Sequence, residues 1–102
     1  MESFGDLIRK LRTKRGLLLR EVAAKIDVDP SFLSRIECNN KRATRKQVIE
    51  LAAALNADEN ELLITYLSDN VVYELQGEKL ALRAMSVAEQ KIRYLLRSGD
   101  SQ

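Results

Sequence analysis

The side chains of this 102-residue sequence that can do chemistry are mainly cations and hydrogen-bond donors. There is no histidine and a single cysteine, Cys38, so a zinc site of common type and a Ser-His-Asp or Cys-His catalytic set are excluded. The four glycines form neither a P-loop nor a G-x-G-x-x-G pattern. The acids fall at helix-capping positions, which accounts for them without catalysis. No enzyme activity, cofactor or metal is expected. What stands out is Lys41-Arg42, followed by Thr44 and Arg45 where a helix begins. A helix N-terminus presents unpaired N–H groups and partial positive charge, so this cluster suits an anion. Lys14 belongs to a second basic run, Arg12-Thr13-Lys14-Arg15, which suits either an anion or a solvated face.

The net charge of +2 is unevenly spread. Residues 1–56 hold twelve Lys or Arg against seven Asp or Glu; residues 57–102 hold five against eight. A basic first half fits a polyanion surface, and an acidic second half would face away from it. No run of 18 apolar residues is present, so no membrane span is expected. The acidic, amphipathic start MESFGDLIRK does not read as a signal peptide. A lone cysteine fits a reducing, cytoplasmic setting, and Cys38 reads as a small half-buried apolar residue rather than a redox switch.

Helical periodicity runs through the chain, and no strand is expected. Phe4, Leu7, Ile8 and Leu11 repeat as i, i+3, i+4, i+7, with Ser3 as N-cap and Gly16 as terminator. A second helix covers about Leu18 to Ile26. Asp29 is an N-cap and Pro30 suits the first position of a third helix, which stops near Cys38-Asn39-Asn40. Thr44 and Gln47 form a capping box opening helix four, and Asp58 and Glu61 another opening helix five. From Leu62 the chain stays helical to about Arg97. Ser68-Asp69-Asn70 and Gln76-Gly77 are its weak points: a break is predicted at Gly77, and Ser68 is a second candidate.

From Leu19 to Ile36 the spacing is that of two helices crossing over a tight turn. Ala23 is small where the backbones approach. Asp27 stands where the chain must turn, and Val22, Ile26, Val28, Leu33 and Ile36 fill the wedge. The flanking runs LIRKLRTKRGLLLREVAAKI, DVDPSFLSRIECNNKRAT and VIELAAALNADENELL resemble the Cro/cI repressor family, also called XRE, over residues 4–64. Ser31-x-Leu33-Ser34-Arg35-Ile36-Glu37 is the most specific piece. The resemblance implies an all-α, five-helix, lambda-repressor-like DNA-binding domain in residues 1–64 with helix three in the major groove. It also implies a salt bridge between Arg12 and Glu37. Three positions depart from the family pattern: Leu19 replaces a phosphate-touching Gln, and Asp27 and Asn39 replace turn glycines.

In that setting Ser31, Phe32 and Arg35 are the expected base readers, with Arg35 able to donate twice to guanine O6 and N7. Phe32 suits a thymine methyl or the core equally. Ser34, Lys41, Arg42, Thr44, Arg45 and Lys14 are the expected phosphate contacts, which position without reading sequence. The double-stranded DNA partner would carry a pseudo-palindromic operator, because residues 65–102 read as a helical extension that dimerises the chain. Its stripe includes Leu80, Ala84, Met85, Ala88, Ile92, Leu95 and Leu96, of which Ala84, Met85, Ala88, Ile92 and Leu95 are the expected dimer interface. Packing on its own domain is the plainer alternative for this stripe. No small-molecule ligand is expected. The function these features imply is a regulator of transcription, an autoregulating repressor or a controller of the restriction–modification kind. The alternative is an antitoxin with the same fold, whose C-terminal helices bind a toxin.

Overall fold

Local capping chemistry sets the helices. Ser3 Oγ accepts from the Asp6 amide at 3.2 Å and starts α1 (Phe4–Lys14). α2 (Leu19–Lys25) has no side-chain acceptor at its cap, but the Glu21 carboxylate accepts from the Leu18 amide at 2.7 Å. Asp29 caps α3 (Pro30–Glu37), and Pro30 costs no hydrogen bond at the first position. Thr44 and Gln47 exchange side-chain-to-amide bonds at 3.1 and 2.9 Å to open α4 (Arg45–Ala54). Asp58 accepts from the Asn60 amide at the start of α5 (Glu59–Leu75), and α6 (Ala81–Ser98) ends at Gly99. The computed structural model describes residues 2–99, and no strand occurs among them.

The stops are equally local. After each of α1 to α4, one residue takes a positive φ: Gly16 at 69°, Asp27 at 58°, Asn39 at 64° and Asn56 at 53°. The amide one residue further on then reaches back to the last turn: Leu17 to Arg12, Val28 to Ala23, Asn40 to Arg35 and Ala57 to Ala52, at 2.8–3.1 Å. This pairing satisfies carbonyls that the helix end would otherwise leave open. Asp27 and Asn39 therefore do the work of turn glycines, since short polar side chains tolerate the left-handed region.

The chain divides into two compact units, Met1–Val71 and Val72–Gln102. In the first, Ile8, Val22, Ala23, Leu33, Val48, Leu51 and Leu62 are fully buried, and Ile36 and Leu55 nearly so. Leu19, Val28 and Phe32 are half-buried against that core. Ala23 has no exposed surface, as the close helix crossing requires. One expectation fails: α5 runs unbroken through Ser68, Asp69 and Asn70 and ends only before Gly77, whose φ is 82°. Val71, Val72 and Tyr73 are carried in the same helix. The predicted end of the first domain at residue 64 thus falls inside α5.

Two features lock α1 to α3. Gly5 lies so close to the C-terminal end of α3 that a Cβ there would meet the Glu37 carbonyl at 2.8 Å and Asn39 Oδ1 at 2.5 Å, and would collide with the Ile36 carbonyl as well. Asn39 Oδ1 instead accepts from the Gly5 amide at 3.2 Å. About two helical turns later, Arg12 meets Glu37 edge to edge. Nε and Nη2 donate to the two carboxylate oxygens at 2.8 and 3.0 Å, and Nη1 donates to the Leu17 carbonyl at 2.9 Å. The side chains are only 14% and 5% exposed, so both charges are largely removed from water and must be paired. The hydrogen bond to Glu37 is the main reason the Arg12 guanidinium is held above arginine's ordinary pKa; burial opposes this and Glu37's charge supports it. A raised basic pKa contributes stability that persists until pH passes that value, so the bridge holds throughout the neutral range.

Gly5→Ala should lower unfolding stability by about 1–3 kcal/mol despite alanine's better helix propensity, because backbone carbonyls must move. Urea denaturation followed by circular dichroism measures this; an unchanged midpoint would refute the close-approach reading. Glu37→Ala should cost about 3 kcal/mol by stranding the Arg12 cation. Arg12→Lys should recover little of the Arg12→Ala loss, since an ammonium cannot span both carboxylate oxygens and the Leu17 carbonyl.

Candidate nucleic-acid interface

The turn Asp27-Val28-Asp29 and the Arg12–Glu37 bridge fix α3 at its two ends. Leu33 and Ile36 are turned into the core, at 0% and 2% exposure, which leaves Ser31 and Arg35, four residues apart, exposed on the opposite side. Ser34 is half-buried. The Arg35 guanidinium makes no hydrogen bond among the described residues, so its donors are available.

Asp29 and Ser31 form a small proton circuit at the start of α3. Asp29 Oδ1 accepts from the Ser31 amide at 2.8 Å and from Ser31 Oγ at 2.7 Å. The Ser31 hydroxyl bond, then its amide bond, hold the Asp29 carboxyl below its ordinary pKa; weak desolvation opposes them and the Arg35 charge assists. Ser31 Oγ thus spends its one proton on the Asp29 carboxylate and keeps its lone pairs as acceptors.

Phe32 is half-buried, packed against the core, and Lys41 Nζ lies 5.8 Å from its ring centroid. The ring therefore supports Lys41 through a cation–π contact. In the loop after α3, Lys41 is exposed, while Ala43 is buried. The Arg42 guanidinium donates to Asn70 Oδ1 on α5. Arg45 is exposed, and Thr44 is exposed with its hydroxyl accepting the Gln47 amide. The capping box uses the amides of Thr44 and Gln47, so what the α4 N-terminus can offer an anion is the Arg45 and Lys46 amides. Lys14 is exposed at the end of α1. Its neighbour Arg15, which the sequence left between an anion contact and a solvated face, donates to the Leu55 carbonyl at 3.0 Å and closes the end of α4. Leu19 sits against the core, an apolar contact where a polar phosphate contact was in question.

Three residues escaped the sequence reading. Tyr66, Asp69 and Asn70 reach from α5 to residues that precede them by 23 to 65 positions. Asp69 and Asn70 gave one visible signal, polar character in mid-helix that read as weakness; Tyr66 gave none. Cys38 is exposed rather than half-buried. No three His, Cys, Asp or Glu side chains converge on a metal position among the described residues. Among these residues no helix is long and apolar enough to cross a membrane. In the second unit no residue of α6 is buried. Ala84, Met85, Ala88, Ile92 and Leu95 are all exposed, Ile92 by 56%.

Comparison with known proteins agrees with this geometry. The helix-turn-helix family model matches residues 8–62. No curated protein sequence matches the chain. Among solved structures it is similar to the restriction-modification controller protein C.AhdI from Aeromonas hydrophila, at 30% identity over 58% of this chain and 89% of that one, with a TM-score of 0.55. It is also similar to the clp gene regulator ClgR from Corynebacterium glutamicum, at 26% identity over 96% of this chain and 92% of that one, with a TM-score of 0.58. A second controller protein, C.Esp1396I, shares the fold at 24% identity over 70% of this chain and 96% of that one, with a TM-score of 0.55. The family match covers more than half the sequence and coincides with the helices that hold Ser31 and Arg35 outward, and so the chain belongs to the helix-turn-helix family of the Cro/cI (XRE) type, whose members are DNA-binding transcriptional regulators.

Proposed function

We propose that this protein is a sequence-specific regulator of transcription that binds a pseudo-palindromic operator as a homodimer, reading bases with α3. The observation that carries the reading is the exposed pair Ser31 and Arg35 on a helix whose other side is sealed into the core. Arg35 donates to a guanine edge in the major groove, and Ser31, with its proton held by Asp29, accepts from a base amine. Phe32 lines the same end of α3 and serves chiefly as the seat for Lys41. Lys41, Arg42, Arg45 and Thr44 hold phosphates beside the groove, with Ser34 and Lys14 at the margins; these contacts set register and affinity. The DNA-binding part extends through Asn70, because Asn70 hydrogen-bonds Arg42.

The dimer reading rests on α6. Ala81, Met85, Ala88, Ile92 and Leu95 follow one another at spacings of four, three, four and three, the pattern of a helix seam. These apolar side chains are exposed or half-exposed in the single chain, and a row of this length calls for a cover. A second copy supplies an identical row and places two α3 helices about one DNA turn, ~34 Å, apart. An autoregulating repressor or controller fits the resemblance to C.AhdI. An antitoxin would bury the same row against another protein.

Selection from random duplexes should return two related half-sites in inverted orientation. Against that site, Arg35→Ala should lose about 1–3 kcal/mol of discrimination at one base position per half-site. Lys41→Ala should weaken operator and random DNA alike and flatten the salt dependence by about one unit. If both variants bind like the parent, the contacts are misassigned. Light scattering should give a dimer for the parent and a monomer for Ile92→Glu, with operator affinity lost accordingly. A monomeric parent that aggregates through its C-terminal helix would favour the antitoxin.

A further inference from the structure

The segment after α3 is held by side chains from outside it. Ala43 is buried, and its carbonyl accepts from the Tyr66 hydroxyl at 2.7 Å. Arg42 is bonded to Asn70. At the other end of the loop, Asn39 is tied to the Gly5 amide. Tyr66 is itself fixed: its ring meets Phe4 edge-on, with centroids 5.6 Å apart and planes at 72°. Asp69 Oδ2 accepts from the Phe4 amide at 2.7 Å. Tyr66, Asp69 and Asn70 stand at i, i+3 and i+4, so one face of α5 serves both the loop and the start of α1. The space left between them is about 50 Å³, room for a water or two and far below a ligand pocket.

We propose that Tyr66 and Asn70 are positioning residues for DNA binding, acting through the loop at 39–43 rather than by touching DNA. The inference rests on the DNA-binding reading above and adds a dependence on α5 to it. Lys41 stands between anchored neighbours, so its ammonium is delivered to one place, against the Phe32 ring. A loop ordered during folding does not have to be ordered again at each encounter with DNA, and this ordering cost is otherwise subtracted from affinity. Removing an anchor leaves α3 and its base-reading side chains in place and loosens only the phosphate grip. The signature is a loss of affinity with no change in which bases are preferred.

The test uses the full chain and the duplex recovered by selection, at a temperature where every variant is fully folded. Tyr66→Phe keeps the ring and deletes the hydroxyl; Asn70→Ala removes the Arg42 partner. Each should weaken binding about three- to tenfold, equally for the best site and for sites with single base changes. Each should also flatten the salt dependence, as when a phosphate contact is lost. In a Lys41→Ala background the Tyr66→Phe effect should shrink, because the two act on one grip. A lowered melting temperature with unchanged affinity and salt slope in both variants would overturn the proposal, as would a loss confined to particular base changes. If the parent itself prefers no DNA, the DNA-binding reading falls and takes this inference with it. A parent that binds its site beside variants that bind equally well removes this inference alone.

Discussion

The structure depends on one charged pair removed from water. Arg12 and Glu37 could not each be left in this setting alone, and together they fix the distance and rotation between α1 and the end of α3. Every nitrogen of the guanidinium donates: two bonds go to the carboxylate and one to the Leu17 carbonyl in the connection to α2. Three segments therefore share one ion. Gly5 completes the lock about two turns earlier, where the backbones of α1 and α3 come too close for any side chain. An apolar contact of the same area would hold the helices together without specifying how α3 is turned. A bidentate pair does specify it, and an α3 rotated by a few tens of degrees would aim Arg35 elsewhere.

What could be read from the residues is what is decided locally. Ser3, Asp29-Pro30 and Thr44 with Gln47 start helices because their side chains answer amides two or three positions away. Asp27 and Asn39 stop them because short polar side chains tolerate a left-handed backbone, and Asn56 does the same without having been singled out. The apolar repeats placed Leu33 and Ile36 inside, and by exclusion Ser31 and Arg35 outside. What escaped was lateral. Gly5 looked like any glycine, since its reason lies 31 residues away at Ile36. Arg15 looked like part of a basic run and in fact closes α4. Ser68-Asp69-Asn70 lowered the local helix propensity, which marked it as a break. Propensity is a weak term beside tertiary packing, and Asp69 and Asn70 are polar because backbone and side-chain groups from elsewhere need acceptors there.

The candidate surface separates two tasks. In the proposed function base reading falls to α3, whose exposed side chains stand on a sealed helix with capped ends. Phosphate holding, on the same proposal, falls to a loop, which would ordinarily be the mobile part of such a surface. Here the loop is closed at Asn39, seated at Phe32 and anchored at Arg42 and Ala43. If that proposal holds, affinity and specificity are altered at different residues, because different elements carry them.

The same division bears on the second unit. An α6 with no buried residue gains no stability from a core within the single chain, and its apolar row is left uncovered there. Helix propensity cannot account for the row, because exposed positions are served as well by Lys or Glu as by Ile92 or Leu96. Polar residues are available on the same helix, as the Glu89–Arg93 pair shows, so the apolar positions are not a matter of composition. A helix that keeps both kinds of face fits the proposed pairing with a partner. Among the candidate partners, a second identical helix is the one whose presence also explains why a protein with a single α3 could recognise a site long enough to be specific.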